Sequence, residues 1–511
     1  MFRFCRVSVS LLVMFLLSAA FAQDLASFEK KTTVKTLPNG LTIVVCERHE
    51  APVFSFYTLV DAGAAQDPKG QTGLAHMFEH MAFKGTQTIG TTDYPAEKVA
   101  LDKEEQIYQE LERERLKRVG RDEKKIQELE ASFHQAEEDA DKYVKKNEFG
   151  EIIEREGGEN LNATTDEDET SYFYSMPSNR LELWAYLESD RFLHPVLREF
   201  YQERDVVYEE RRMRVDSSPL GRMLEQFRAE AYEAHPYRNP DVGWPSDVAN
   251  LTMTNAQFFF DKYYVPANMT IAVVGDVNPD QVFALAEKYF GRLPQKPKPE
   301  DLITVEPPQQ DERNVSIPSR SQPIYLEGYH RPDYRDPDDA VYDAISDLLS
   351  DGRTSRLYRS LVRDKKIAAA AAGFTDYPGS KYPSLFAFYA VPIPGHTPAE
   401  LQQAFREEIE KIKTQPVSDA ELEMVKTRAK ANLIRGLADN EGLAAQLAIF
   451  QARYGDWREL FYNVDRLEKV TKDDIRRVAN ETFMATNRSV TILENAAPPA
   501  TPKPAGPGGA Q

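Results

Sequence analysis

Two histidines and a glutamate in the first third of the chain have the types and the spacing of a metal-dependent hydrolytic site. His76 and His80 are four residues apart, so on a helix both side chains leave one face and can hold a single ion. Glu79 stands beside them as a carboxylate that can take a proton from water and pass it to a leaving amine. This H-x-x-E-H order predicts a zinc site with Glu79 as the general base. The alternative interpretation is a pair of unrelated surface histidines.

A third ligand must come from another part of the chain, because a catalytic zinc ion takes three protein ligands and keeps a fourth position for water. The acidic segment 203–210 contains the candidates. Glu203 and Glu210 are seven residues apart and so lie two helical turns apart on one face, whereas Glu209 points away from Glu203. Taken alone, this segment is more typical of a solvated acidic helix face.

Hydrophobic periodicity and turn residues predict the elements that position these groups. The apolar spacing within residues 73–83 predicts the helix that carries both histidines, and Gly85 is a plausible stop. The expected strands are 42–45, 53–60, 162–164, 172–174, 269–274, 323–329 and 385–391. The further expected helices are 181–192, 200–214, 279–289 and 338–350.

Charged residues dominate the sequence between residue 97 and about residue 146. The apolar residues in its second part step by three and four, which is typical of a narrow helical seam. This pattern predicts a hairpin of two helices joined near Gly120, inserted over residues 97–156 and projecting from the first domain. Two interpretations stay open: a partner-binding arm, or a solvated insertion without a role. The seam residues are Ile126, Leu129, Phe133, Ala136, Ala140 and Tyr143.

The 511 residues are too many for one ordinary hydrophobic core, which favours two domains. Residues 294–322 are rich in proline, glutamine and charged residues, and we expect them to link a first domain, 23–293, to a second domain, 323–495. The proline-, alanine- and glycine-rich tail 496–511 is expected to be disordered. If the halves are duplicates, segment 342–348 corresponds to 75–81 and lacks the histidines and the glutamate, so chemistry belongs to the first half.

The first 22 residues have the features of a cleaved signal peptide. Arg3 and Arg6 precede an apolar run, residues 7–17, which is shorter than the roughly 20 residues that span a bilayer. We therefore expect a soluble periplasmic protein without a membrane span.

The net charge of −19 opposes binding to nucleic acid or to anionic membranes. Only Cys46 remains after cleavage, so we expect no intramolecular disulfide and a cysteine that packs as a small apolar side chain.

Several motifs together resemble one known family, the M16 (pitrilysin-like) peptidases, which include insulysin and the mitochondrial processing peptidase. The resemblance extends more weakly into the second half, so it covers nearly the whole chain after the leader. The motifs that carry it are Leu37-Pro38-Asn39-Gly40-Leu41, the stretch Gly73 to Met81, Phe83-Lys84-Gly85-Thr86, Asn162-Ala163-Thr164 and the stretch Glu203 to Glu210.

The resemblance implies a specific set of roles. His76, His80 and Glu210 would ligate one zinc ion per chain, Glu79 would be catalytic, and Glu203 would orient a histidine ligand. The implied substrate is an unfolded peptide. The activity expected is that of a zinc-dependent endopeptidase that cleaves unfolded peptides or oligopeptides in the periplasm.

The resemblance also implies an α+β fold. Two related domains, each an antiparallel sheet flanked by helices, would close like a clamshell around the peptide. Asn162, Ala163 and Thr164 would form the sheet edge to which the substrate adds as another strand, held by backbone hydrogen bonds. The alternative role of this segment is that of an ordinary edge strand.

Two features depart from the family pattern. The distance along the chain from His76 to Glu210 is longer than usual, and the charged insertion accounts for the excess. Active members carry, in the second half, an arginine and a tyrosine seven residues later that contact substrate. Arg363 matches the arginine, but Ala370 stands at the tyrosine position, and Tyr377 is a candidate substitute. We therefore expect a second M16-type subunit that supplies the pair, or a homodimer.

Two other functions compete with the peptidase. A non-catalytic M16-fold subunit could act as a binding or assembly protein, and its mark would be loss of His76, Glu79 or His80, none of which is lost. A periplasmic metal carrier would explain the ligands but not the carboxylate at the general-base position.

Overall fold

The structure is a computed structural model that describes residues 25–495. The predicted signal peptide, 1–22, and the predicted disordered tail, 496–511, lie outside the described residues. Within residues 25–495, no helix is long and apolar enough to cross a membrane. The described chain has the expected α+β architecture, with two sheets flanked by helices.

The eleven strands of the described residues form one sheet in each half. The first sheet has the order β1-β2-β6-β3-β5-β4, and the second has the order β7-β11-β8-β10-β9. The strands are β1 (Thr32–Thr36), β2 (Thr42–Glu47), β3 (Val53–Val60), β4 (Glu159–Thr165), β5 (Thr170–Pro177), β6 (Met269–Gly275), β7 (Arg313–Ser319), β8 (Ile324–Arg331), β9 (Ala368–Tyr377), β10 (Ser384–Pro392) and β11 (Arg488–Asn495).

The helices lie between the strands and on the faces of both sheets. Two stretches, Arg212–Asp216 and Tyr358–Asp364, are π-helical. The α-helices are α1 (residues 25–31), α2 (Leu74–Met81), α3 (Tyr94–Arg115), α4 (Glu123–Asp141), α5 (Glu148–Arg155), α6 (Leu181–Leu193), α7 (Phe200–Arg211), α8 (Pro219–Ala231), α9 (Pro245–Ala249), α10 (Met253–Tyr263), α11 (Pro279–Tyr289), α12 (Asp339–Ser350), α13 (Pro398–Thr414), α14 (Asp419–Gly436), α15 (Asn440–Tyr454), α16 (Glu459–Lys469) and α17 (Lys472–Thr482).

The two sheets repeat one topology. Strands β2-β6-β3-β5-β4 of the first sheet correspond in order and direction to β7-β11-β8-β10-β9 of the second. In each, the first pair is parallel and the other pairs are antiparallel. Each sheet is therefore mainly antiparallel, as expected, with one parallel pair, since the last of the five strands returns beside the first of them by a long connection.

Each half contributes a helix to the sheet of the other half. Helix α15 packs Leu443 and Leu447 against Val44 and Val274 of the first sheet, on the face opposite α2 and α11. Helix α8 packs in the same way on the second sheet. Because both faces of the first sheet are covered, all seven residues of β6 are buried, which explains why Thr270 is the only polar side chain in this strand.

A buried acidic loop between β4 and β5 joins the two halves beside the end of β4. The Asp168 carboxylate accepts hydrogen bonds from the backbone N–H groups of Ser380 (2.8 Å) and Lys381 (3.0 Å). Glu169 pairs with Arg453 of α15 at 3.4 Å. The second half therefore fixes the end of the first sheet's edge strand.

The charged segment forms the predicted hairpin, but it packs against the first domain instead of projecting freely. Helices α3 and α4 are joined through a loop in which Gly120 takes a positive φ of 71°. Asp122 caps α4 by accepting hydrogen bonds from the N–H groups of Lys124 (3.0 Å) and Lys125 (3.1 Å). The buried seam of α4 consists of Ile126, Phe133, Ala136 and Ala140, all of which were expected there.

Part of the expected linker belongs to the second sheet. Residues 313–319 form β7, which pairs in parallel with β11. The composition of 294–322 concealed this strand, because only alternate side chains of β7 are shielded and the strand includes Pro318 at the sheet edge. Cys46, by contrast, lies where we expected it, buried among apolar side chains of the first sheet and α15.

Candidate metal centre

Helix α2 holds both histidines and Glu79 in fixed positions. The Asp67 carboxylate caps its N-terminus by accepting hydrogen bonds from the N–H groups of Gly73 (2.7 Å) and Ala75 (2.9 Å). Burial raises the pKa of Asp67 to about 8. One face of the helix is anchored in the core, and by helical periodicity the polar residues lie on the opposite face. The anchoring residues are Leu74, Met77, Phe78 and Met81.

Helix α7 brings Glu210 to the two imidazoles. The Nε2 atoms of His76 and His80 lie 3.6 Å and 3.5 Å from the same carboxylate oxygen of Glu210. Donor atoms about 2.0–2.1 Å from a tetrahedral zinc ion would be about 3.4 Å apart, so this spacing fits zinc. Within residues 25–495, no other set of three histidine, cysteine or acidic residues converges in this way. The three residues could therefore hold one ion.

A carboxylate and a lysine surround the second histidine. The Nδ1 atom of His80 lies 3.3 Å from Glu203 Oε2, and Lys84 Nζ donates a hydrogen bond to Glu203 Oε1 at 2.5 Å. Burial alone would raise the pKa of Glu203, but the hydrogen bonds from His80 and Lys84 outweigh it and lower that pKa. Glu203 is therefore held ionised, where it can fix the orientation of the His80 ring.

The two histidines have different pKa values in the protein without metal. Burial, and then the neighbouring His80, lower the pKa of His76 to about 4. Burial also acts to lower the pKa of His80, but Glu203, Glu210 and Glu79 together raise it. At neutral pH His76 is consequently uncharged, the form that a metal ligand requires. Its buried Nδ1 has no hydrogen-bond partner in the described part of the chain.

Glu79 is half-buried on the same side of α2. Burial raises the pKa of its carboxyl group, and a hydrogen bond from the Thr165 hydroxyl of β4 acts in the opposite direction. A carboxylate whose pKa is raised toward neutrality is a better proton acceptor at working pH than one at its ordinary value. The site therefore contains a group suited to move a proton.

A cavity of about 430 Å³ joins this group to the edge strand β4. Asn162 and Ala163 lie in its wall, whereas the Thr164 hydroxyl hydrogen-bonds to Ser171 (2.9 Å) on β5. Since β4 is the last strand of its sheet, one side of its backbone has no strand partner among residues 25–495. The cavity is lined by Glu79, His80, Phe83, Lys84, Lys146, Asn147, Asn162, Ala163, Glu199 and Glu203.

The predicted substrate residues of the second half are not part of this cavity. Arg363 is exposed on the second π-helical stretch and pairs with the adjacent Asp364 at 2.7 Å. Ala370 lies in β9, paired with Val391. The Tyr377 hydroxyl accepts a hydrogen bond from Arg228 Nε (2.9 Å) between the halves, so it is already engaged.

Sequence reasoning missed three residues at the site: Lys84, Thr165 and Arg214. Arg214 lies 2.7 Å from the Oε1 atom of Glu210, which leaves Oε2 to face the imidazoles. Its position four residues after Glu210 could have indicated this contact. Lys84 lies within the Phe83-Lys84-Gly85-Thr86 motif of the family resemblance. Nothing in the local pattern relates it to Glu203, which follows 119 residues later.

Two sequence models of one family match the chain. The model described as Insulinase (Peptidase family M16) matches residues 43–101 and 134–243, and the model described as Peptidase M16 inactive domain matches residues 250–429. Together they cover more than half of the 511 residues. The chain belongs to the M16 family. The stretch that the first M16 model leaves unmatched, 102–133, lies within the α3–α4 hairpin.

Similar M16 proteins match almost end to end. "Zinc protease PqqE" of Helicobacter pylori is 29% identical over 478 residues, which cover 92% of this chain and 94% of that protein. The mitochondrial-processing peptidase subunit beta of Saccharomyces cerevisiae is 24% identical over 487 residues, covering 90% of each. The crystal structure of a protease from Helicobacter pylori superposes with a TM-score of 0.76 at 28% identity, covering 91% of this chain and 99% of that chain. The M16 fold thus extends over nearly all the described residues.

The α12 helix of the second M16 half lacks such a metal group. Following the correspondence of α12 with α2, Asp343 and Asp347 occupy the positions of the two histidines. Arg428 of α14 donates a hydrogen bond to Asp347 at 2.9 Å. This arginine thus pairs with one of the two aspartates, and its positive charge opposes cation binding there.

If Glu210 is a zinc ligand, replacing it should weaken metal binding without unfolding the protein. We expect Glu210→Gln to retain less than the one zinc per chain of the parent after dialysis, because an amide oxygen is a poorer zinc ligand than a carboxylate. Elemental analysis gives the stoichiometry. Glu209→Gln makes the same change at an exposed position that pairs with Arg212 at 2.6 Å, and it should retain zinc fully. Equal retention by both variants would remove Glu210 from the ligand set.

Proposed function

We propose that this chain is a zinc-dependent endopeptidase that cleaves unfolded peptides or oligopeptides in the periplasm. The observation that carries the proposal is the convergence of His76, His80 and Glu210 next to a cavity that contains Glu79 and the edge of β4. The similarity to M16 proteins named as zinc proteases supports it. The apolar run and small residues at the N-terminus support export.

Each side chain has a defined role in this proposal. Zinc bound by the three residues would lower the pKa of a water molecule to about 7 and polarise the peptide carbonyl. Glu79 accepts a proton from the attacking water and then donates it to the leaving amine, so the carboxylate ends as it began. Glu203 holds the His80 ring, and Arg214 holds the oxygen of Glu210 that faces away from the imidazoles.

The free edge of β4 supports an extended peptide as the substrate. A peptide that adds to this edge pairs with backbone groups, and such binding depends little on side-chain identity. Asn162 and Ala163 would contact it beside the catalytic group. Folded proteins rarely present a free strand, so the substrate class is unfolded chains and oligopeptides.

The general base can be separated from the metal site by experiment. We expect Glu79→Gln to keep one zinc per chain and the parental fold but to cleave a mixed peptide library at least about a hundredfold more slowly, because the amide cannot take up a proton. Mass spectrometry of the products gives the rate, with a chelator-treated parent as the metal-free control. Undiminished cleavage by the zinc-loaded variant would overturn the assignment of Glu79. A zinc-loaded parent that cleaves nothing would favour the non-catalytic alternative.

We further propose that a second M16-type subunit completes the substrate site. Ala370 has no hydroxyl group, and the Tyr377 hydroxyl is held by Arg228, so neither supplies the missing tyrosine. One M16 relative is named as a subunit, which supports a paired assembly. A homodimer is the alternative partner, and light scattering of the purified chain distinguishes the two.

A shared site makes the isolated chain a poor enzyme. We expect a related subunit that carries the arginine and tyrosine pair to raise the cleavage rate about a hundredfold, since a single missing donor to the developing oxyanion costs that much. The measurement is peptide cleavage with and without the added subunit. Arg363→Ala is tested against Arg359→Ala, an exposed arginine on the same π-helical stretch. Full activity of the chain alone, unchanged by Arg363→Ala, would rule out the shared site.

A further inference from the structure

The inserted hairpin packs its aromatic residues against the back of α7. The ring of Tyr201 on α7 lies 4.1 Å from the ring of Tyr108 on α3 and 5.1 Å from the ring of Phe133 on α4, centroid to centroid. All three side chains are buried. This three-ring cluster is the apolar contact between the hairpin and the helix that carries Glu203 and Glu210.

Hydrogen bonds surround the aromatic cluster. The Tyr201 hydroxyl donates to Glu105 of α3 at 2.5 Å, and the Arg204 guanidinium donates to the Tyr108 hydroxyl. Gln202 donates to Asp141 at the end of α4 at 2.9 Å. Both helices of the hairpin are therefore bonded to the first turn and a half of α7.

These contacts lie on the side of α7 that faces away from the metal site. Successive helical residues are rotated by about 100°, so Tyr201 lies about 160° from Glu203 around the axis. Arg204 is about 100° from Glu203 and about 120° from Glu210. The hairpin thus holds the rear and flank of α7 while the two glutamates face the histidines of α2.

The base of the hairpin ties the same helix to α2. Arg198, two residues before α7, is almost fully buried and donates to Glu97 of α3 at 2.7 Å. It also donates to the backbone carbonyls of Thr86 (2.7 Å) and Ile89 (3.0 Å), in the segment that follows α2. The start of the hairpin, the exit of α2 and the entry of α7 therefore share one buried guanidinium.

We infer that the α3–α4 hairpin is a brace that fixes α7 relative to α2 and thereby sets the affinity of the metal centre. No hairpin residue belongs to the ligand group, so Tyr108, Phe133 and Glu105 are positioning residues. The match to the Insulinase (Peptidase family M16) model leaves residues 102–133 unmatched, and this stretch contains Glu105, Tyr108 and Phe133. The inference rests on the proposed zinc site. It differs from both interpretations of the hairpin, a partner-binding arm and an insertion without a role, because the inner side of the hairpin has a structural partner within the chain.

The test removes the brace contact without touching the site. Tyr108→Ala combined with Phe133→Ala leaves a gap behind Tyr201. We expect this double variant to bind zinc about tenfold or more weakly, the size of effect seen when residues that orient metal ligands are replaced. Competition with a chromophoric chelator gives the zinc Kd. The matched control is Leu116→Ala with Val119→Ala, two apolar truncations at the hairpin tip, where these side chains are 65% and 91% exposed. That control should keep the parental Kd.

A second variant guards against simple unfolding. Tyr201→Phe keeps the ring and loses only the hydrogen bond to Glu105, and we expect it to weaken zinc binding about threefold. Circular dichroism verifies that each variant is folded at the assay temperature. If the hairpin only stabilises the fold, the substitutions should lower the melting temperature and leave the zinc Kd of the folded protein unchanged. Parental Kd values in all folded variants would therefore overturn the brace but not the proposed function. A parent that binds no zinc would overturn the proposed function and the brace with it.

Discussion

The packing of α7 against α2 is the contact on which the site depends. It brings a carboxylate from residue 210 to within 3.6 Å of imidazoles at residues 76 and 80, across more than a hundred intervening residues. Neither helix is long, so its direction is set by what packs around it. For α2 these anchors are the Asp67 cap and four buried apolar residues. For α7 they include Arg198 and the aromatic cluster of the hairpin.

The duplicated architecture explains how the edge strand β4 is fixed beside this contact. Each half covers the other half's sheet with a helix, so the halves share two apolar interfaces in addition to their own cores. The acidic loop after β4 is bonded to the second half through Asp168 and Glu169. Burial raises the pKa of Glu169 to about 8. The strength of the ion pair between Glu169 and Arg453 therefore depends on the fraction of Glu169 that is ionised. Contacts with the second half therefore hold the loop at the end of β4.

The sequence predicted local elements well where a pattern repeats and a turn residue ends it. Strand Val53–Val60 and helix Pro279–Tyr289 have the predicted bounds, because alternation, helical periodicity and Pro279 at the first helical position are local signals. The two histidines were identified from their spacing, and Glu210 from its spacing to Glu203 together with the family resemblance. The structure brings the side chains of all three residues together.

What could not be predicted depends on contacts between distant residues. Nothing near Lys84 indicates that it binds Glu203, and nothing in the charged residues of α3 and α4 distinguishes a free arm from a brace. The exchange of α8 and α15 between the halves leaves no local signal either, because an amphipathic helix does not reveal which sheet it covers. Strand β7 was hidden for a related reason: an edge strand with alternate exposed residues resembles a polar linker.

The central claim, that His76, His80 and Glu210 hold one zinc ion beside Glu79, is tested most directly by anomalous X-ray diffraction. Crystals of the zinc-loaded protein would be measured on both sides of the zinc absorption edge. The account predicts a single strong anomalous peak per chain, about 2.0–2.2 Å from the Nε2 atoms of the two histidines and from one carboxylate oxygen of Glu210. A peak at any other group of residues, with none between α2 and α7, would contradict it.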